Sequence, residues 1–465
     1  MASDLEKKKS VCLVNRGAAY IVDYAAIMNY NLAQTICWVS AFIALALMPV
    51  VIALTGELPE QRGFWVEFGV LLGFLGLAVL NIQFVITGRF RWFAEGFGLD
   101  NLLQFHKQTG IFALLLVLAH PAVLVVADPQ YWAFLDPRVN FPRAAALTVV
   151  TVGSLVLVAS TLWRLTFRLS YEQWRLVHGL LSFGILFLGL AHVLMVGHYS
   201  DSTWKKTVFI GMSGGAMYLI VHSRFVRPLA MRRRPYRIAG VRPERNDSWT
   251  LLIEPDGHSG LRFRPGQFVW LTVGDTPFSL QQHPFSISSG ASWKTIELTI
   301  KKLGDFTATV DAIQPGTRAW LEGPYGSFTR EGDPGEGVVM IAGGVGITPV
   351  MSMLRSAHDA GDELPIILIY GNTSRKTILF RRELDEMQSL PWLTVIHVLE
   401  EPPEAWTGET GFIDRGILDR HLPVNFRDCQ YFICGPALMI DLVEPALHGK
   451  RVPARQIHSE RFDMV

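Results

Sequence analysis

Four histidines have the spacing of a redox chain. His106 and His120 lie in one apolar stretch, residues 102–126, and His178 and His192 lie in another, residues 177–197. Each pair is 14 positions apart. In a helix that is a rise of about 21 Å and a return to within about 40° of the same face. Each helix thus offers one imidazole near each surface of a bilayer. Two such helices packed face to face form two stacked bis-imidazole sites, which is the geometry for two b-type haems. A single histidine in a membrane helix can be a mere hydrogen-bonding group. The repeated spacing argues for ligands, because ionisable groups at membrane depth usually serve a pathway. Zinc or copper fits less well, since each two-histidine site lacks the further ligands those metals take.

A second chemical motif is the glycine turn GGVGITP at 343–349, which follows the apolar run VVMIAG. Gly343, Gly344 and Gly346 let a diphosphate approach the backbone closely. Thr348 is placed to cap the following helix and Pro349 to occupy its first turn. A phosphate would meet free N–H groups at the positive end of the helix dipole.

These motifs need two kinds of scaffold. Half of the 465 residues are hydrophobic. The apolar residues concentrate before about residue 223, where six membrane spans are predicted: 32–55, 66–88, 102–126, 143–163, 177–197 and 207–223. Arginine and lysine cluster at the N-terminus and after the second, fourth and sixth spans, as at Arg89, Arg164, Arg168 and Arg224. The positive-inside bias places both termini in the cytoplasm of a multi-pass cell-membrane protein. His106 then pairs with His178 near the inner surface, and His120 with His192 near the outer one. Arg62, at the outer start of the second span, is either an interfacial anchor or a positive group beside the outer pair. No secretory signal peptide is expected, because no short apolar core with a small-residue cleavage site is evident. Residues 1–31 are a cytoplasmic segment of mixed character. Residues 224–235 form a basic linker whose arginines suit anionic lipid headgroups. Net charge is +1 and no basic nucleic-acid motif is present. The four cysteines are scattered and imply no disulfide framework. Nothing identifies a protein partner.

From 236 to 330 short β-like runs separated by glycine, proline and polar clusters predict a small antiparallel barrel. From 331 to 465 strands alternate with helices, predicting an α/β Rossmann-like domain with a parallel sheet. The segments HPFSISS (283–289), KKLGDFT (301–307), GPYGSF (323–328), GGVGITP and the CGP at 434–436 carry a resemblance. Together they resemble the flavin and nicotinamide module of the ferredoxin reductase superfamily, in the form fused to a ferric-reductase-like haem domain. The NADPH oxidases and ferric reductases have this form, and the chain looks closest to the bacterial NADPH oxidases.

That resemblance implies that His283, Pro284, Phe285 and Ser286 contact FAD, with Ser286 near flavin N5. It implies that Lys301, Gly304 and Thr307 lie on the diphosphate side. It places Cys434, Gly435 and Pro436 at the nicotinamide, and Arg375 where the family reads an adenosine 2′-phosphate. Arginine suits that dianion through its fork of donors, so NADPH is expected rather than NADH. Phe462 corresponds to the family's near-terminal aromatic, which covers the flavin; three residues follow it here, a departure from the pattern. The implied path runs from NADPH through FAD and two haems to molecular oxygen, giving superoxide. A ferric chelate is the alternative acceptor, and a haem and flavin sensor without turnover is a third reading.

Overall fold

The computed structural model describes residues 32–89, 99–164, 166–330 and 335–461. The segment 1–31 and Phe462 lie outside them. Two compact units are present, one of Phe42–Pro243 with Ser248–Thr329, the other including Arg330 onwards.

The first unit begins, from Phe42, within helix α1 (Leu32–Ala53) and continues through α2 (Phe64–Ile86), α3 (Leu99–Ala127), α4 (Phe141–Leu162), α5 (Tyr171–Val196) and α6 (Thr203–Val221). Among the described residues, α1 to α5 are long and apolar enough to cross a membrane. The expected sixth span is a helix, α6, but it falls short of that standard. Lys205, Lys206, Ser213 and three glycines dilute its apolar residues. Lys205 turns inward, where its Nζ donates to the Ala53 carbonyl at the end of α1 (2.9 Å). The apolar side chains of α1, α3, α4 and α5 face outward in large part, as Ile43, Leu115, Val156 and Leu180 do. In water such a surface would be untenable; in lipid it is the solvent-facing side.

The helix ends follow local chemistry. Asn140 caps α4 by accepting from the Arg143 N–H (3.1 Å). Ser170 and Gln173 form a reciprocal capping box that starts α5 at Tyr171, six residues before the expected start. Such a cap stabilises a helix by about 1 kcal/mol. It also adds almost two turns ahead of His178, and these carry Trp174 and Arg175.

Helix α2 is the central one. Gly69, Gly73 and Gly76 line the face of α2 that meets α3. A Cβ on any of them would lie within 2.8–3.4 Å of Leu124, His120 or Val117. The absence of side chains there is what lets the two backbones approach.

The same unit continues into six antiparallel strands: β1 (Tyr236–Pro243), β2 (Ser248–Pro255), β3 (Phe268–Val273), β4 (His283–Ser286), β5 (Ile296–Lys301) and β6 (Arg318–Tyr325). Their order is β4-β3-β6-β1-β2-β5. The sheet curls shut where Ile287 bridges Leu298 and the Ser288 N–H bonds the Glu297 carbonyl (2.8 Å). Alternate residues, including Ile238, Leu251, Val269, Leu271 and Leu298, fill the interior. A buried clamp fixes the barrel to the helices. Glu322 of β6 accepts from Arg89 (3.3 Å) and Arg227 (3.2 Å), and Arg89 stacks 3.7 Å above the Trp270 ring.

The second unit holds β7 (Val338–Gly343), β8 (Ile366–Asn372), β9 (Leu393–Leu399), β10 (Glu409–Thr410), β11 (Gln430–Gly435) and β12 (Ile457–Arg461). All pair in parallel, in the order β10-β9-β8-β7-β11-β12. The chain runs outward from β7 to β10, then returns to β11 on the other side of β7. Between β7 and β11 lies the topological switch point where open α/β sheets bind ligands. The glycine turn and helix α7 (Ile347–Ala360) leave β7 at that point. Gly346 has no room for a side chain: a Cβ would sit 2.2 Å from the Cys434 carbonyl oxygen. Replacing Gly346 with Ala should therefore destabilise this unit by about 1–3 kcal/mol. Lowered thermal stability with weakened nicotinamide nucleotide binding would bear this out; an unchanged melting curve would contradict it.

Candidate functional site

The four histidines meet as the spacing predicts. The His106 and His178 rings lie 6.2 Å apart between centroids, and so do those of His120 and His192. Two metal–imidazole bonds of about 2 Å each, with about 1.1 Å from each ring nitrogen to its centroid, span about 6 Å. Each pair is therefore spaced so that one metal ion would fit between its two imidazoles.

Hydrogen bonds select the ligating nitrogen. The His120 Nδ1–H can only donate to the Gly69 carbonyl (2.7 Å), which leaves Nε2 as the free lone pair. At His178 the partner is Thr161 Oγ1 (3.3 Å). Thr161 gives its own proton to the Leu157 carbonyl (2.8 Å) and accepts from Trp174 Nε1 (3.3 Å). Its oxygen can thus only accept from His178 Nδ1, again freeing Nε2. His106 Nδ1 is buried with no partner. No group of three or more His, Cys, Asp or Glu converges among the described residues, so neither pair has the donor set of a tetrahedral zinc site.

Arg62 does not serve as a free cation beside the outer pair. Glu67 accepts from its backbone N–H (3.0 Å) and lies 3.5 Å from its Nε, and the Tyr199 hydroxyl donates to the other carboxylate oxygen (2.5 Å). Burial and the Glu67 carboxylate push the Tyr199 hydroxyl up to about 12. The cation whose field reaches His192 is Arg143, at the start of α4. Its Nη2 donates to the Ala133 carbonyl (3.0 Å), and its Nε is buried without a partner. Sequence offered no reason to rank Arg143 above Arg62.

In the barrel, β4 consists of His283, Pro284, Phe285 and Ser286. His283 stacks on Phe306 of the GDFT loop (4.2 Å, 12°), and Phe285 lies 6.2 Å from the same ring. Phe306 thus joins the two segments, a role the sequence did not single out. Ser286 is 6% exposed. Thr307 holds the loop: its Oγ1 accepts from the Leu303 and Gly304 N–H groups (2.8 Å each) and donates to the Gly304 carbonyl (3.0 Å). With its proton engaged there, Thr307 shapes the loop, while Lys301 and the exposed Gly304 edge stay open.

In the second unit the glycine turn packs on the CGP segment. A Cβ on Gly343 would meet Pro436 and Met439, and one on Gly346 would meet Cys434. Gly344 adopts φ +54° with open space before it. Tyr370 is a further residue that sequence missed; its hydroxyl donates to the Gly344 carbonyl (2.9 Å) and accepts from the Leu379 N–H (3.3 Å). Thr348 does not cap α7. The helix starts at Ile347 with Gly346 as its cap residue, and the Thr348 hydroxyl folds back on the Val345 carbonyl (3.0 Å). The first-turn N–H groups consequently have no side-chain cap, and Pro349 sits in that turn. Arg375 follows β8 and is exposed, without an ion pair among the described residues. Arg381 instead reaches Asp385 (3.6 Å). Arg355 and Glu383 (2.6 Å, two bonds) hold the helix Arg381–Met387 against α7.

These features define a membrane-associated oxidoreductase that uses a flavin and a nicotinamide. The chain matches three family descriptions in succession: a ferric reductase like transmembrane component over 72–189, an FAD-binding domain over 247–329, and an oxidoreductase NAD-binding domain over 340–444. This succession is the domain architecture of the NADPH oxidases and ferric reductases. It is similar to the glycine betaine monooxygenase reductase subunit of Pseudomonas aeruginosa, 29% identical over 252 residues, which is 52% of this chain and 68% of that one. It is also similar to NADH-cytochrome b5 reductase 1 of Dictyostelium discoideum, 29% identical over 178 residues, covering 37% of this chain and 62% of the other. Among solved structures, the ferredoxin reductase in carbazole 1,9a-dioxygenase is 24% identical, covers 49% of this chain and 69% of its own, and has a TM-score of 0.43.

Two expectations follow from the geometry. Gly73 abuts the His120 ring, where a Cβ would lie 2.8 Å from Nδ1. Gly73→Val should displace that imidazole and leave His106 and His178 in place. Haem content of the purified variant near half that of the parent would support this; full content would refute it. Burial holds the His283 imidazole below its ordinary value of 6.5, with Arg175 adding to the effect. The unfolded chain therefore binds this proton more readily than the folded one. The stabilisation is complete above about pH 6.5 and is lost as pH falls towards the folded value. Replacing His283 with Asn should flatten that part of the acid limb in thermal melts.

Proposed function

We propose that the protein is a transmembrane oxidoreductase that takes electrons from cytoplasmic NADPH and delivers them to molecular oxygen on the far side, producing superoxide. The observation that carries this reading is the matched pairing of His106 with His178 and of His120 with His192, both at 6.2 Å. These four side chains would hold two b-type haems. FAD and the haems, when bound, supply hydride acceptance and one-electron relay across the bilayer.

The remaining roles belong to the chain. His283, Pro284, Phe285 and Ser286 line the flavin, with the Ser286 hydroxyl toward N5 and the Phe306 stack fixing the strand. Lys301 and the Gly304 turn, shaped by Thr307, take its diphosphate side. Gly343, Gly344, Gly346, Thr348 and Pro349 seat the dinucleotide phosphates at the start of α7. Cys434, Gly435 and Pro436 orient the nicotinamide. Arg375, exposed and without an ion pair among the described residues, reads the 2′-phosphate of NADPH in preference to NADH. Phe462 is assigned the flavin-covering role. Both termini, and the inner histidine pair with them, face the cytoplasm, where the basic linker meets anionic lipid. Arg143 offers positive charge beside the outer pair, where a neutral acceptor becomes an anion.

The match to a ferric reductase like component favours a second reading, reduction of a ferric chelate along the same path. One assay separates the two. The detergent-purified, FAD-loaded protein is given NADPH or NADH in air, and cytochrome c reduction is followed with and without superoxide dismutase. Anaerobic reduction of a ferric chelate is then measured. Dismutase-sensitive reduction driven by NADPH is expected. Slow oxygen use with fast anaerobic ferric reduction would replace the oxidase reading with the metalloreductase one.

A further inference from the structure

The junction between the helices and the barrel carries more positive charge than it neutralises. Arg89, Arg175, Arg224 and Arg227 gather there, and the field of Glu322 reaches Arg175 and Arg224 as well as its two partners. Glu322 is taken up by Arg89 and Arg227. Neither Arg175 nor Arg224 makes an ion pair among the described residues. Burial and the charges of Arg175 and Arg89 bring the Arg224 guanidinium down to about 10, a mark of that crowding.

Arg175 is the sharpest case. It is 8% exposed, the Tyr171 hydroxyl four residues back is one polar neighbour, and its Nε and Nη1 are buried with no hydrogen bond of good geometry. Its Nη2 donates to Gln282 Oε1 (2.9 Å). Gln282 is 6% exposed and immediately precedes His283. Arg175 itself stands three residues before His178, about 4.5 Å along the helix axis and on a neighbouring face. A buried guanidinium with two open donors is costly unless an anion meets it. Its planar fork suits a carboxylate.

We propose that Arg175 is a shared positioning residue, one arm holding the flavin-side strand at Gln282 and the open edge binding a carboxylate of the haem held by His106 and His178. The inference rests on the haem reading above. It assigns Arg175 two effects: raising the inner haem's potential by its charge and fixing the ring's rotation by its fork. It also explains why α5 begins with two turns that extend beyond the apolar stretch.

The test uses the full-length protein in a His192→Leu background, which leaves only the inner site. The protein is reconstituted with haem b or with its dimethyl ester, in which both carboxylates are blocked. Haem is counted as the pyridine haemochrome, and midpoint potentials are read by spectroelectrochemistry. With Arg175 present, the ester should bind more weakly than haem b. Arg175→Gln should abolish that discrimination and move the potential to more negative values, because the ferric form loses a repelling neighbour. Arg175→Lys, which keeps the charge, should hold the potential near the parent's while losing most of the discrimination, and it carries the test if the Gln variant fails to fold. Unchanged potential and unchanged ester discrimination in both variants, at full haem content, would overturn the proposal. So would a loss confined to FAD affinity, which would assign the guanidinium to the flavin diphosphate. Failure of the Arg175-bearing protein to take up any haem would defeat the functional reading, and this proposal with it.

Discussion

Everything in the helical part depends on keeping two imidazoles opposed at about 6 Å in a medium that tolerates no loose polar group. Neighbouring helices normally bring their side chains into contact and leave no such gap. Here the gap is held open from behind. The Gly69 carbonyl and Thr161 hydroxyl each hold an Nδ1, so the rings cannot rotate freely and both Nε2 lone pairs stay available. The Gly69–Gly73–Gly76 face lets α3 lie close enough to α2 for that carbonyl to be reached. A single methyl group on α2 would compete with the His120 ring for its place. The packing of α2 thereby decides the geometry of a site on α3 and α5.

A similar economy governs the second unit. The nucleotide turn needs backbone, not side chains, at its surface. Gly346 is a glycine chiefly because the Cys434–Gly435 backbone lies against it, and Gly343 because the Pro436 ring and the Met439 side chain do. Their smallness serves the packing of two strand ends before it serves a phosphate. Tyr370 then ties the Gly344 carbonyl back to the sheet, so that the exposed edge of the turn carries N–H groups. A turn without a side-chain cap, at the positive end of α7, is what an anion requires.

Much of this was legible in the sequence because its signals are local and periodic. The 14-residue repeat, the apolar runs and the HPFS, GDFT, GGVGITP and CGP segments place the elements within a few residues of where they lie. The misses are of another kind. Glu322 with Arg89 and Arg227, Arg175 with Gln282, and Glu67 with Tyr199 join residues about 95 to 233 positions apart. No periodicity encodes such pairs. Arg62 could be read either as an anchor or as a positive group beside the outer pair, because its neutralising carboxylate, five residues on, shares a helix turn with apolar residues and reads as part of the span. Thr348 looked like a cap because a threonine before an apolar run usually is one. The preceding glycines allowed the helix to begin two residues earlier, and the hydroxyl then turned back on the Val345 carbonyl.

The two ends of the histidine ladder differ, and the difference argues for a direction. At the inner pair, the helix carrying His178 extends beyond the apolar stretch and meets the barrel through Arg175, one residue from the HPFS strand. Several arginines crowd that junction, a field that favours electrons arriving and negative cofactor groups staying. At the outer pair the only cation whose influence reaches His192 among the described residues is Arg143, half-held by a carbonyl and an aromatic ring. One modest positive group is a weak hold for a multiply charged chelate. It is sufficient for a small neutral molecule that becomes an anion only on accepting its electron, because attraction is then needed at the moment of transfer and not before. This is the physical ground on which we propose oxygen, rather than ferric iron, as the acceptor.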